Sequence, residues 1–288
     1  MEYGINFNGD VIIDKITKAA ILSEEAGFSH IWVGETTGFL HPFPLMAACL
    51  ENTGKIVVGA GIISPLRNRP HHILKAALTF EEVYGPRVSI GLAPGDHEGL
   101  KRECTTTKKV LGVLSDASTY LKGNSDLKVY IGASGPKLIK LAGEKSDGVL
   151  LNYVYPEYVK WALKFLKKDV YKAVYGPSLL LPNSKLLSHL RGAAAVVLAG
   201  GNRDFLESMG LTELSGELRE LVRKEKWSEL KKYDKILFER FTISGDVYDF
   251  QDRLEEYKKL GIDQVILATP FGRDIKGIRE MTKVISST

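Results

Sequence analysis

Short runs of apolar, β-branched residues recur along this chain, and longer stretches with apolar residues at helical spacing separate them. That alternation admits few folds. A strand that reads as a continuous Val/Ile run is buried on both faces, and repeated strand–helix units give parallel strands covered by helices. The runs predict strands at Tyr3–Phe7, His30–Gly34, Ile56–Gly61, Val88–Leu92, Val129–Gly132, Gly148–Leu151, Ala193–Leu198 and Gln264–Ala268. Eight parallel strands is the number in the closed (β/α)₈ or TIM barrel, whereas open doubly wound sheets more often use five or six. A length of 288 residues suits one such barrel as a single domain over 1–288.

Helices are expected at Ile12–Ala26, Pro44–Leu50, His72–Tyr84, Leu138–Glu144, Pro156–Tyr171, Val247–Leu260 and Ile275–Ile285. Gly85-Pro86 and Gly261 supply stop signals, and Pro156 stands where a first-turn proline belongs. Two stretches read as insertions on the barrel. Residues 172–191 carry Pro177 and Pro182 and suggest loop or short helices, and the Glu- and Lys-rich residues 204–241 suggest helices anchored by Trp227.

Composition excludes several classes. With 44% hydrophobic and 26% charged residues the chain has the balance of a globular protein, and a net charge of +4 is too mild to argue for nucleic acid. The start Met1-Glu2-Tyr3 lacks the charged and apolar regions of a secretory leader, and no run approaches the ~18–20 apolar residues of a membrane span. Cys49 and Cys104 cannot build a disulfide framework, so a cytoplasmic location is expected. His71 and His72 are adjacent on a helix and point apart, so no metal is expected.

In a barrel the chemistry belongs at the C-terminal strand ends. The predicted ends are Asn6-Phe7-Asn8-Gly9, Glu35-Thr36-Thr37-Gly38, Gly59-Ala60-Gly61-Ile62-Ile63-Ser64, Gly91-Leu92-Ala93-Pro94-Gly95-Asp96, Gly132-Ala133-Ser134-Gly135-Pro136 and Asn152-Tyr153. Glycine lets backbone approach a flat ligand and leaves N–H groups open. Ala133-Ser134-Gly135 leads into a helix, whose N-terminus attracts an anion. Ile62 and Ile63, between Gly61 and Pro65, suggest a bulge pressed against a ring or, more plainly, buried strand. Together these ends suit a planar ligand with a phosphate tail.

Four segments resemble the bacterial luciferase-like superfamily, in its coenzyme F420-dependent branch typified by methylenetetrahydromethanopterin reductase. They are Gly27–Glu35, Gly59–Asp96, Val129–Asn152 and Ile243–Gly272. The resemblance implies a TIM barrel with insertions that transfers a hydride between F420 and an organic substrate. It implies a non-prolyl cis peptide at Gly61–Ile62, with Ile63 and Ser64 following, behind the deazaflavin. It also implies that Ala133, Ser134 and Gly135 hold the coenzyme's phosphodiester, with Gly95, Asp96 and Asn152 near its tail. Many relatives carry Asp-His after strand two where this chain has Glu35-Thr36.

Glu35 is the candidate acid, because a partly buried carboxyl can have a raised pKa; the competing reading pairs it with Arg67 or Arg69 as scaffold. Asn6, Asn8, Thr36 and His41 are candidate substrate contacts, and Arg67, Arg69 and Lys137 could meet an anionic tail. Two other readings stay open: an FMN-dependent luciferase-like monooxygenase, and a non-catalytic barrel without flavin. The expected partner is a small-molecule substrate, with no nucleic acid and no membrane. A homo-oligomer, dimer or larger, is expected, with the apolar helix Pro44–Leu50 as a candidate contact face.

Overall fold

The computed structural model describes residues 1–10, 12–95, 106–180 and 184–286. Eight strands form a closed parallel barrel: β1 Glu2–Asn8, β2 His30–Gly34, β3 Val57–Ile63, β4 Val88–Leu92, β5 Lys128–Ala133, β6 Gly148–Leu151, β7 Tyr171–Leu180 and, numbered in chain order, β9 Gln264–Ala268. Their order is β6-β5-β4-β3-β2-β1-β9-β7, and β7 pairs back to β6. The short β8, Ile243–Gly245, extends only the far end of β7. The helices α1 Ile13–Glu25, α2 Pro42–Glu51, α3 Pro70–Tyr84, α4 Thr107–Asn124, α5 Pro136–Lys145 and α6 Pro156–Leu163 follow the first six strands. After β7 come α7 Ser184–Ala199, α8 Arg203–Ser208, α9 Thr212–Arg223, a 3₁₀ turn Trp227–Tyr233 and α10 Asp234–Phe241; α11 Val247–Lys259 and α12 Ile275–Ser286 flank β9. No helix among the described residues is long and apolar enough to cross a membrane.

The seventh barrel strand is not Ala193–Leu198. It is β7, inside the stretch expected to be an insertion at 172–191. Gly176-Pro177 disguises it. Pro177 has no N–H for a ladder, and it sits at the last pair with β9, just before Ser178 begins pairing with β8. Residues 193–198 instead lie in α7. Three alanines favour helix, and Leu190, Ala194, Ala195 and Leu198 are buried at helical spacing while Val196 is exposed. The helix from Pro156 stops at Leu163, short of Tyr171.

Helix α4 was not anticipated, although its signals are plain. Thr106 caps it by accepting from the Lys109 N–H at 3.3 Å, and Val110, Leu114, Ala117 and Leu121 face inward. Residues 204–241 are helical as expected, but Trp227 is 47% exposed and does not anchor them; buried side chains such as Phe205, Leu218, Leu230, Leu237 and Phe241 do. Helix α2 buries Leu45, Met46, Cys49 and Leu50 in the core between the helices and the strands.

Two cores result. The larger lies between the strands' outer faces and the helices. The smaller fills the barrel and centres on Trp32, with Tyr130, Leu150, Ala173 and Ile266. Trp32 stacks on His30 at 5.6 Å, meets Tyr130 edge-on at 5.6 Å, and donates Nε1–H to Gln264 Oε1 at 3.0 Å. The indole has room because its neighbours are glycines: a Cβ on Gly59 would stand 2.6 Å from its Cζ3, and one on Gly61 would stand 2.7 Å from its Cβ.

The turn that starts β3 is tied to α1 by one carboxylate. Glu24 accepts from the N–H groups of Gly54 (3.0 Å), Lys55 (2.6 Å) and Ile56 (2.8 Å). Burial pushes its carboxyl up, but these backbone bonds and the Arg87 charge outweigh that and hold it below the usual carboxylate range. A lowered folded pKa adds stability that is complete above the unfolded value and is lost as pH falls through the folded one. Glu24→Gln is therefore expected to be less stable than the parent chain near neutrality, with the gap closing below about pH 4. Urea melts across pH check this; an equal gap at neutral and strongly acid pH would remove the role given to the charge.

Candidate active site

The strand ends meet on one mouth of the barrel, and β3 breaks its regularity there. Its register against β4 slips between Gly61 and Ile63, and the Gly61–Ile62 peptide is cis. The Ile62 side chain turns inward over Gly91 and Gly132, 3.5 and 3.0 Å from where their Cβ atoms would stand. It is half-buried and forms an apolar floor to the mouth, whereas Ile63 faces the outer core and is fully buried. Ser64, also fully buried, ties three strand ends together: its N–H donates to Glu35 Oε2 at 2.7 Å and its hydroxyl to the Pro94 carbonyl at 2.8 Å.

Glu35 is the centre of this bracket. Besides Ser64 it accepts from Asn68 Nδ2 at 3.1 Å, and its Oε1 lies 3.3 Å from Arg67 Nε. The two charged side chains are 13% and 20% exposed. Arg67 also donates to Thr37 Oγ1 at 2.8 Å. Its guanidinium lies against Gly95, where φ is +97° and a Cβ would collide with it. Glycine at 95 thus serves both the turn's left-handed backbone and the close approach of Arg67. Asp96 lies outside the described residues.

At the end of β5, Ala133 is buried and its carbonyl accepts from the Asn152 N–H at 3.4 Å. The buried Tyr153 hydroxyl donates to the Ser134 carbonyl and pins the turn. Burial raises that phenol well above its ordinary pKa, so it stays a donor. Gly135 is the N-cap of α5, Pro136 follows, and among the described residues no side chain caps the helix. Its first N–H groups, at the positive end of the helix dipole, are open to an anion. A Cβ on Gly135 would strike the carboxamide of Asn202, whose Oδ1 accepts from Asp204 N–H at 3.0 Å and caps α8.

The remaining candidates divide. Asn6 is 1% exposed and committed: Nδ2 donates to the Trp32 carbonyl at 3.1 Å, and Oδ1 accepts from the Tyr175 hydroxyl at 3.3 Å. It lies under the mouth as a strut. Asn8 and Thr36 are half-buried at the rim, and the Thr36 carbonyl accepts from Phe39 N–H at 3.1 Å. His41 is exposed, caps α2 through the Phe43 N–H at 3.3 Å, and sits 3.2 Å from Asn68 Oδ1. Sequence reasoning missed Asn68, Asn202 and Tyr175, and named Tyr153 only as a strand-end residue. Asn202, after two glycines and before a helix, carried a cap signal; Tyr175 was hidden with its strand.

Residues 8–101 match the family model described as luciferase-like monooxygenase. The 5,10-methylenetetrahydromethanopterin reductase of Archaeoglobus fulgidus is 25% identical over 96% of this chain and 96% of its own. The reductase of the same name from Methanolobus tindarius is 26% identical over 94% and 95%. Among solved structures, the coenzyme F420-dependent tetrahydromethanopterin reductase from Methanopyrus kandleri superposes with a TM-score of 0.87 over 98% of this chain and 97% of that one, at 21% identity. That likeness shows the same barrel.

Proposed function

We propose that this chain is a coenzyme F420-dependent oxidoreductase that transfers a hydride between the deazaflavin and a small organic substrate in the barrel mouth. The observation that carries the reading is the end-to-end likeness to the Archaeoglobus fulgidus reductase, over 96% of both chains.

The residues present fit such a group. The uncapped start of α5 at Ser134 and Gly135 offers backbone donors to a phosphodiester. Ile62 offers an apolar floor to a flat ring. Asn152 and Gly95 follow β6 and β4, the strands on either side of β5, and Asp96 directly follows Gly95 in sequence. When bound, F420 supplies the carbon that gives or accepts the hydride; the chain supplies position and charge.

The chain's own groups do the rest. Tyr153 fixes the turn that holds the anion. Asn6 links the floor to β7 through Tyr175, whose phenol burial pushes up to about 12, so it remains a neutral donor at the mouth over the physiological range. Glu35 holds the loops after β2, β3 and β4 in register rather than standing free as an acid.

Titration with F420 and with FMN tests this. F420 is expected to bind at micromolar concentrations or below, and FMN far more weakly. The matching family model is described as a luciferase-like monooxygenase, and tighter FMN binding with oxygen-dependent turnover would replace the proposal by that reading. Binding of neither would favour the non-catalytic barrel.

A further inference from the structure

Behind the end of β6 a small cavity separates the barrel from the helices that follow β7. Asn152, Tyr158 and Arg240 help to line it, and each has one buried polar atom without a hydrogen-bond partner among the described residues: Asn152 Oδ1, the Tyr158 hydroxyl and Arg240 Nε. Tyr158 is 1% exposed. The Tyr158 hydroxyl and the Arg240 guanidinium face each other closely enough to raise the arginine's pKa, yet neither atom meets a partner in hydrogen-bond geometry; leaving such a group unsatisfied costs about 1–3 kcal/mol, so the three at one void call for a shared partner. The space open to the centre of a water molecule is ≈ 10 Å³, which is room for one. The three atoms are an acceptor, a cationic donor and a hydroxyl that can act as either. Water, with two hydrogens and two lone pairs, satisfies all of them.

We propose that this cavity is a single-water site, and that Tyr158 and Arg240 act through the water to hold the Asn152 carboxamide with Oδ1 inward and its Nδ2 donors toward the mouth. The water donates to Asn152 Oδ1, accepts from Arg240 Nε, and makes a third hydrogen bond to the Tyr158 hydroxyl, which can donate or accept. Among the described residues Asn152 Nδ2 makes no hydrogen bond, and it is not among the buried unpartnered atoms, so it is the end left open. The Asn152 N–H is bonded to the Ala133 carbonyl, which sets the residue beside the Ser134-Gly135 turn. A fixed donor there adds to the backbone donors of α5 toward the same anion. Arg240 comes from α10, where its guanidinium also covers the Tyr155 ring at 5.5 Å. The helical segment after β7 thereby reaches the mouth as a positioning element.

The positioning role rests on the proposed F420 site; the water does not. A high-resolution crystal structure of the protein without cofactor is expected to show one ordered water within hydrogen-bond distance of all three atoms, and its absence overturns the inference. In F420 titrations, Tyr158→Phe is expected to raise the Kd roughly three- to tenfold, and to have no further effect in an Asn152→Ala background. Arg240→Gln is the second probe should Tyr158→Phe not fold. If Asn152→Ala weakens binding while the Tyr158 and Arg240 variants do not, or if the effects simply add, the positioning role fails and the cofactor reading stands. A parent chain that ignores F420 sinks the functional reading and the positioning role together, and the crystal structure still decides the water.

Discussion

Trp32→Ala is expected to destabilise the chain by about 3–5 kcal/mol, toward the upper end of what large-to-small core changes cost. The reason is where the side chain sits. Trp32 is 1% exposed at the centre of the barrel, and three residues against its indole, Gly4, Gly59 and Gly61, have no side chains to move into its space. The void therefore stays open, and Gln264, fully buried, loses the indole N–H its Oε1 accepts. In a domain of this size such a loss lowers Tm by on the order of 10 °C. Urea melts and calorimetry measure it. Gly59→Ala should also destabilise the parent chain, because its Cβ would stand 2.6 Å from the indole. In a Trp32→Phe background the same Gly59→Ala should be far better tolerated. A neutral Gly59→Ala in the parent chain, or effects that simply add, would show that the indole does not dictate these glycines.

That pairing also shows what could be read before the structure. His30–Gly34, Val88–Leu92, Gly148–Leu151 and Gln264–Ala268 lie as expected because strands buried on both faces announce themselves as apolar runs. β7 did not, since Gly176-Pro177 interrupts it, and the Ala-Ala-Ala-Val-Val-Leu run of α7 took its place. At the site, the strand-end glycines stand out in sequence but their physical causes do not. Gly59 and Gly61 admit Trp32 from the neighbouring strand, Gly95 admits Arg67, and Gly135 admits Asn202. Each of these contacts joins residues from separate strand ends or loops, so no local pattern records it. The glycines mark where the mouth is tightly assembled as well as where a ligand's backbone donors lie.

Glu35→Gln separates the two roles the sequence left open for that residue. As a bracket, the carboxylate accepts from Ser64 N–H and Asn68 and faces Arg67. Glutamine keeps one carbonyl oxygen, which can still serve the Ser64 N–H. Its NH₂ must then face the Asn68 or Arg67 donors, and the cation loses its counter-charge. Breaking a fully buried pair costs about 3–5 kcal/mol; at 13% and 20% side-chain exposure some screening remains, so roughly 1–3 kcal/mol is expected for Gln. Glu35→Leu removes every acceptor and belongs at the upper figure. Because Ser64 follows the bulge that sets Ile62, F420 affinity should fall along with stability, while the rate of reduced-F420 oxidation at saturating cofactor stays within about threefold. Arg67→Met combined with Glu35→Leu should recover part of the stability, since no charge is then left uncompensated. The acid role predicts the reverse: unchanged melting and F420 affinity with a loss of about a hundredfold or more in turnover. That outcome would transfer Glu35 from the frame of the mouth to its chemistry. The ion pair with Arg67 would then be the device that keeps the acid in place, rather than the reason the carboxylate is there.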